Sequence, residues 1–344
     1  MEENGRKPNL ASSSNTPLLK INNLNKHFPI RGGWLRRQVG AVRAVDGISF
    51  DLFAGETLGL VGGQGSGKSI LAKTILHLIK PTSGTVQFDG QAIDQLGKQE
   101  LRQLRQKMQV IFHDPYLSIN AQMRIKDIVG EPLHIHNLGN AATREEAVEE
   151  LLQLVELNPY VSNRFPYEFT GQMRQRISLA RALATQPKLL ITDEVTAVLD
   201  PVVKQSFINL LRQLQAQFGL AVLYLAGELA TPRQICDRVG VLYLGQMVEL
   251  AETAVLYKRP LHPYTQYLLS LLPVDDPDTE DKRQTITLNG NAPNPAKPPQ
   301  GCRFHPRCAY ASDQCRQQSP ELRNLGSANQ PHLVACHHAE QFWG

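Results

Sequence analysis

The chain has 344 residues, 42% of them apolar and 20% charged, enough for one large or two moderate domains around an ordinary globular core. Its net charge of +4 is too small an excess to argue for nucleic-acid binding. The most apolar run, Leu220 to Ala226, falls far short of the roughly 20 residues that a membrane-spanning helix needs, so no span is expected.

Residues 1–17, MEENGRKPNLASSSNTP, have no apolar centre. They are expected to form a disordered polar tail and not a secretory signal, which places the chain in the cytoplasm, with docking on a membrane protein left open. Residues 18–30 (LLKINNLNKHFPI) and 41–53 (AVRAVDGISFDLF) alternate apolar and polar side chains, the pattern of half-buried antiparallel strands. Between them Trp34 stands among Arg31, Arg36, Arg37 and Arg43. A solvated loop is expected there, with a place beside anionic lipid as the alternative.

The next stretch, TLGLVGGQGSGKSILAKTILHLI, reads as an apolar strand, a glycine loop and a helix. Within it GGQGSGKS, from Gly62 to Ser69, fits G-x-x-x-x-G-K-[ST]. The strand before it and the helix after it are the context that gives this spacing its meaning. Glycines let such a loop wrap so that successive N–H groups point at phosphates, and the helix N-terminus adds positive potential. Gly62, Gly63, Gln64, Gly65, Ser66 and Gly67 form the candidate loop. Lys68 is placed to reach β- and γ-phosphates, Ser69 to ligate Mg²⁺, and Ile70 continues the nucleotide-binding run.

Residues 84–96 return to strand and turn, and 121–185 are helical in composition, with apolar spacing such as REEAVEELLQLVEL. Strand-like runs resume at 188–192, 220–226 and 239–244. Strands alternating with helices argue for a parallel α/β core, with the helical stretch inserted as a subdomain. The run KLLITDEVTAVLD ends its strand in Asp193 and Glu194. Following a phosphate loop, Asp193 is placed to hold Mg²⁺ through water and Glu194 to polarise an attacking water.

From about residue 274 the texture changes. PVDDPDTEDKRQ and NAPNPAKPPQG suit a linker or loop. Of the five cysteines Cys236 is isolated, whereas Cys302, Cys308, Cys315 and Cys336 cluster near the C-terminus. In a reducing compartment such a cluster argues for metal or thiol chemistry over disulfides. The spacing is not the tight C-x-x-C pair of a zinc ribbon. With His305, His332, His337 and His338 nearby, a mixed zinc site, an iron–sulfur ligand set and four unligated thiols are the readings.

The segment FTGQMRQRISLARALATQPKLLITDE, taken with the phosphate loop, resembles the ATP-binding cassette (ABC) family of transporter ATPases over about residues 18–260. FHDPYLSINAQM at 112–123, HPYTQYLLSLLP at 262–273 and the cysteine tail look like the ATP-binding subunits of oligopeptide and dipeptide importers. The resemblance implies an α/β fold, a P-loop NTPase ABC cassette with an antiparallel β subdomain, a RecA-like parallel core, a helical subdomain at about 114–185 and a C-terminal cysteine-bearing extension over 261–344. It implies ATP and Mg²⁺ as ligands, adenine stacking on Phe28 (a core phenylalanine being the alternative), and a [4Fe–4S] cluster on the four tail cysteines. Cassettes of this family pair head to tail, each ATP lying between one P-loop and the partner's Leu-Ser-Gly-Gly-Gln signature. Thr170, Gly171 and Gln172 stand at the signature here, and Asp200 joins the nucleotide-binding set. Two permease subunits are implied as partners, one docking a short helix near His113 and the helical subdomain, with an external solute-binding protein engaged indirectly and no nucleic acid. The implied place is the cytoplasmic face of the membrane.

Several functional positions depart from the family pattern. The signature reads Phe169-Thr170-Gly171-Gln172-Met173, and Gln172 stands where the family has a second glycine, so that its Cβ would block the γ-phosphate or demand an unfavourable backbone angle. His113 replaces the loop glutamine that senses magnesium, and Gly63 and Gln64 are unusual inside the loop. Gly227 replaces the histidine that contacts the γ-phosphate and aligns Glu194 with the water. These changes fall on contacts that read the γ-phosphate, while the binding contacts survive. The expectation is an ABC importer subunit for peptides or a similar solute with weak hydrolysis at its own P-loop, paired as a heterodimer with a better-equipped cassette. The alternative is a non-catalytic clamp whose partner hydrolyses ATP.

Overall fold

The computed structural model describes residues 16–32, 37–114, 118–197, 199–273, 285–291 and 293–343. The expected polar tail up to residue 15, Trp34 and Arg36 of the basic cluster, residues 115–117 of FHDPYLSINAQM and the proline-rich run 274–284 lie outside the described residues.

Strands β1 (Leu19–Gly32) and β2 (Arg37–Leu52) pair antiparallel, with Leu19 opposite Leu52 and Phe28 opposite Val42. Leu19, Ile21 and Leu24 are buried while Lys20 and Asn22 are half-buried, so the sequence alternation marks one core-facing surface. Strand β3 (Thr57–Val61) leads through the glycine loop into helix α1 (Lys68–Ile75). β4 (Ser83–Phe88) and β5 (Gln91–Ala92) rejoin the first sheet, whose order is β2-β1-β4-β5. The β4–β5 turn is Asp89-Gly90, both residues at positive φ (52° and 78°), as the favoured two-residue hairpin turn requires.

Helix α2 (Lys98–Gln106) precedes β6 (Met108–Ile111), a strand too short to stand out in the sequence. The helical subdomain follows, with α3 (Ile125–Ile135), α4 (Ala141–Leu154) and α5 (Gly171–Leu183). The chain then returns through β7 (Leu189–Asp193), α6 (Pro201–Phe218), β8 (Ala221–Ala226), the short α7 (Pro232–Ile235), β9 (Arg238–Tyr243) and β10 (Gln246–Glu252). Strands β9, β3, β8, β7 and β6 are parallel neighbours. Every residue of β3, β7 and β8 is buried, the unbroken apolar run of a sheet covered on both faces.

The two faces of this sheet feed two cores. Leu58, Leu60, Leu189, Ile191 and Leu223 pack with Leu19, Ile21, Val86 and Leu71 of the antiparallel side. Val61, Leu190, Val222 and Val241 face the other way, toward Ile128, Leu152 and Ile177 of the helical subdomain. The C-terminal extension is built into the same scaffold. After α8 (Thr253–Lys258) and α9 (Pro263–Ser270), it supplies α10 (Asp313–Gln317) and strands β11 (Arg323–Asn324) and β12 (Leu333–Val334), which prolong the large sheet beyond β10. Phe304, 2% exposed, belongs to the second core.

Candidate functional site

The strand register places the site. Val61 pairs with Ala226 and Asp193 with Leu225, so β3, β7 and β8 end side by side. The glycine loop, Asp193-Glu194 and Gly227 therefore leave the sheet at one carboxyl edge, where open α/β sheets bind ligands.

The loop is held open by backbone that tolerates no side chain. Gly67 has φ 98° and caps α1, and a Cβ on it would overlap the carbonyl oxygen of Ala44 on β2. Ser66 N donates to Gly63 O at 3.2 Å, and Gly245 N donates to Ser66 O at 3.0 Å, which fixes the loop against the β9–β10 turn. The Lys68 ammonium, 4% exposed, donates to Gly62 O, to Ser66 Oγ at 3.0 Å and to Gly63 O at 3.2 Å, and meets Glu194 Oε1 at 3.2 Å. Burial pulls the Lys68 pKa below that of an ordinary lysine, and the Glu194 and Asp193 carboxylates oppose the shift. The Lys68 cation and the Glu194 carboxylate thus stand one contact apart. A γ-phosphate would compete with Glu194 for the ammonium.

Ser69 Oγ donates to Asp193 Oδ1 at 2.9 Å. Burial raises the Asp193 carboxyl above its ordinary value against that hydrogen bond. A carboxylate kept in a costly charged state beside a hydroxyl is a donor set suited to a hard divalent cation such as Mg²⁺. Ile70 lies on α1 with its side chain against the neighbouring core, so only its backbone could face a nucleotide at the helix start.

Glu194 sits at φ 51°, a left-handed conformation uncommon for a non-glycine residue, and its N–H donates to Leu225 O at 3.0 Å. Backbone strain of this kind concentrates at functional positions. His113 Nδ1 lies 3.3 Å from Glu194 O, so the imidazole meets the site at the Glu194 backbone. At Gly227 a Cβ would stand 3.9 and 4.0 Å from the Glu194 carboxylate oxygens, with nothing nearer, so the place for the family's histidine is open. Glu228 does not fill it. Its carboxylate accepts from Ala230 N and Thr231 Oγ1, each at 2.7 Å, and faces Lys204 at 3.4 Å.

The signature residues lie at the start of α5. Thr170 is its N-cap, accepting from Met173 N at 3.4 Å, and a Cβ on Gly171 would meet nothing within 4 Å. The expectation of an unfavourable backbone at Gln172 is corrected. Gln172 lies in the first turn of α5, outside the positive-φ residues, so only its side-chain bulk distinguishes it from glycine. Asp200 caps α6, accepting from Val203 N at 3.0 Å. Phe28 is half-exposed with the Lys26 ammonium 4.9 Å from its ring centroid, so it is not a core phenylalanine. Its cross-strand partner Val42 lies two residues from Ala44, the residue whose carbonyl a Cβ on Gly67 would strike.

The tail cysteines are all unbridged, with Cys315 and Cys336 buried. Burial pushes Cys302 up to about 11 and Cys336 up to about 12, and Cys302, Cys308 and Cys315 each raise Cys336 further, so the thiols converge. Backbone N–H groups of Phe304, His305, Tyr310 and His338 point at the sulfurs. Those groups favour thiolates and oppose the larger effect of burial. The histidines are engaged elsewhere: His305 with Cys302 O, His332 with Glu249, His337 with Gln318 O and His338 with Ser312 Oγ, at 2.7–3.0 Å. Among the described residues no group of three or more His, Cys, Asp or Glu stands in position to hold a metal ion.

Sequence reasoning missed Tyr264. Its hydroxyl, in the HPY segment, accepts from Gly63 N at 3.1 Å, so the extension touches the phosphate loop. The His262-Pro263 pair is a legible helix start, but a contact across 201 positions leaves no local trace.

The comparisons agree with this geometry. The ABC transporter model matches residues 45–197, and the model of the oligopeptide/dipeptide transporter C-terminal region matches residues 248–315. The oligopeptide transport ATP-binding protein AppF of Bacillus subtilis (strain 168) is 45% identical over 329 residues, 95% of this chain and 99% of that protein. A probable peptide ABC transporter ATP-binding protein, y4tS of Sinorhizobium fredii, is 42% identical, covering 93% of this chain and 89% of its own. Among solved structures, the dimeric bacterial ABC transporter cassette MJ0796 aligns with TM-score 0.61 at 24% identity, over 68% of this chain and 98% of that one. The cbiO1 protein of Clostridium perfringens, part of the cbiONQ complex, aligns with TM-score 0.60 at 24% identity, over 70% and 91%. These structures share the fold.

Proposed function

The chain belongs to the ABC transporter family, and from that premise we propose that it is a peptide importer's ATP-binding subunit that binds ATP firmly and hydrolyses it slowly at its own P-loop. As an ABC ATPase it couples ATP to the movement of membrane permease subunits. The finer reading assigns Gly62–Ser69 to the phosphates, Phe28 to the adenine, Ser69 and Asp193 to Mg²⁺, and Glu194 to the attacking water. When bound, Mg²⁺ neutralises phosphate charge. Lys68 binds and orients the terminal phosphates, and Glu194 holds the water and takes up its proton.

The observation that carries slow hydrolysis is the open space at Gly227 beside a Glu194 carboxylate that Glu228 does not assist. A water left without a second orienting group is badly placed in most encounters. His113, bonded to the Glu194 carbonyl, acts in the same direction. A heterodimer with a better-equipped cassette accommodates such a site, with the signature of this chain, Thr170 to Gln172, and Asp200 facing the partner's nucleotide. The subunit then works at the cytoplasmic face of the membrane, beneath two permeases, served from outside by a solute-binding protein. No helix of the described residues is long and apolar enough to cross a membrane. The test is uptake by vesicles reconstituted with the permeases and partner cassette. ATP-driven peptide uptake that needs this chain supports the reading, and undiminished uptake without it refutes it.

The four tail cysteines are proposed to hold a [4Fe–4S] cluster. What supports this is their convergence and the backbone N–H groups aimed at their sulfurs. Such a cluster spreads its sulfur ligands wider than a single ion does. Anaerobically purified protein is expected to contain iron and sulfide, and Cys336→Ser to lose both. Iron-free wild-type protein contradicts the assignment.

A further inference from the structure

We propose that the C-terminal extension braces the phosphate loop, with Tyr264 as the positioning residue that sets the loop's affinity for nucleotide. The inference rests on the reading of Gly62–Ser69 as the ATP site and adds a control element to it.

The brace has two struts. In the first, the Tyr264 hydroxyl accepts the Gly63 N–H at 3.1 Å. The carbonyl of Gly63 faces the Lys68 ammonium at 3.2 Å and accepts the Ser66 N–H at 3.2 Å. Fixing the amide of Gly63 therefore fixes the residue that holds Lys68 and closes the turn of the loop. In the second, the Arg303 guanidinium, 6% exposed, bonds the carbonyl of Leu244 and the carboxylate of Asp46. The next residue, Gly245, donates to Ser66 O at 3.0 Å and accepts from Asp46 N at 2.8 Å. Both struts start in the extension and end on the loop.

They are joined by a rigid aromatic cluster. Phe304, next to Arg303, stands 5.4 Å from the Tyr264 ring centroid and 5.2 Å from that of Tyr243, and Tyr243 and Tyr264 are 4.7 Å apart. Such ring packing holds orientation as well as burying area. Tyr264 is itself pinned at the start of α9, where its N–H donates to His262 Nδ1 at 3.0 Å. His262, wholly buried and with its pKa pushed down to about 3 by that burial, stays neutral and able to accept. The buried Glu249 carboxylate takes the N–H groups of Leu261 and His262 at 2.7 and 3.0 Å and His332 Nε2 at 2.7 Å. The end of the chain is thereby tied to the segment that presents Tyr264. Cys302 lies one residue before Arg303, so a change at the cysteine loop bears directly on both struts.

A loop held in its phosphate-binding shape loses less entropy on binding ATP than a free one. Removing one hydrogen bond of ordinary strength is expected to weaken Mg·ATP binding about three- to tenfold. The test measures Mg·ATP affinity for the full-length wild type, Tyr264→Phe, Gly63→Ala and the double variant. A Cβ on Gly63 would stand 3.3 Å from the Tyr264 hydroxyl, so Gly63→Ala strains the contact that Tyr264→Phe removes. The expected result is weaker binding in each single variant. Gly63→Ala should cost less than about twofold once the hydroxyl is gone, because sites in contact are not additive, and in Tyr264→Phe alone turnover at saturating ATP should be unchanged, so that the loss falls on affinity. Wild-type affinity in Tyr264→Phe, or costs that simply multiply in the double variant, overturns the brace. A wild-type chain that binds no ATP instead overturns the reading of the site on which the brace rests.

Discussion

A Gly227→His substitution is expected to speed hydrolysis of ATP at this chain's own P-loop by about a hundredfold. A preorganised polar contact to the reacting centre is typically worth about 10²–10³ in rate. The lower end is taken because His113 also departs from the family pattern at this site, and such losses do not add simply. The substitution is sterically open, since the new Cβ would stand 3.9 and 4.0 Å from the two Glu194 carboxylate oxygens, in ordinary contact, with nothing nearer. Gly227 directly follows β8, whose backbone is paired along its length to β3 and β7, so the added side chain inherits a rigid mount. Single-turnover hydrolysis by the wild-type and Gly227→His chains, compared under the same conditions, measures the effect. An unchanged rate would mean that the missing side chain is not what limits the step.

Lys68→Met is expected to reduce ATP affinity by at least about thirtyfold, and by several thousandfold at the upper limit. Truncating one partner of a buried, hydrogen-bonded charge contact costs about 2–5 kcal/mol. Lys68 qualifies because it is 4% exposed and donates to three loop acceptors while facing Glu194. The methionine keeps the length of the side chain, so the loss reports on the ammonium and not on a cavity. Equilibrium binding of Mg·ATP checks it. Binding within a fewfold of wild type would remove Gly62–Ser69 from the role assigned to it.

Much of this was legible in the sequence, for physical reasons. The alternation of Leu19 and Ile21 with Lys20 and Asn22 exposes a two-sided strand, and the unbroken run Leu220 to Ala226 betrays a strand covered on both faces. The glycine loop shows because backbone that must pass against Ala44 carries no Cβ at Gly67. Asp193 and Glu194 show because a charged pair ends a buried strand. What was illegible is non-local. β6 is four residues long and β12 two, and each is a strand only because a neighbour pairs with it. Nothing local in HPYTQYLLSLLP marks the partner of Tyr264, and only the fold carries it to Gly63. Gln172 suggested backbone strain by its position, yet the helix start holds it in an ordinary conformation.

The most direct measurement is the fate of nucleotide on the wild-type chain. The purified chain is mixed with Mg²⁺ and ATP and re-isolated, and the retained nucleotide is identified over time. Nucleotide that is bound and remains ATP through many ordinary turnover times is the predicted result, because Gly227 leaves Glu194 without its second orienting group. Prompt conversion to ADP at the pace of a working transporter would contradict the claim and make this chain an ordinary hydrolysing subunit.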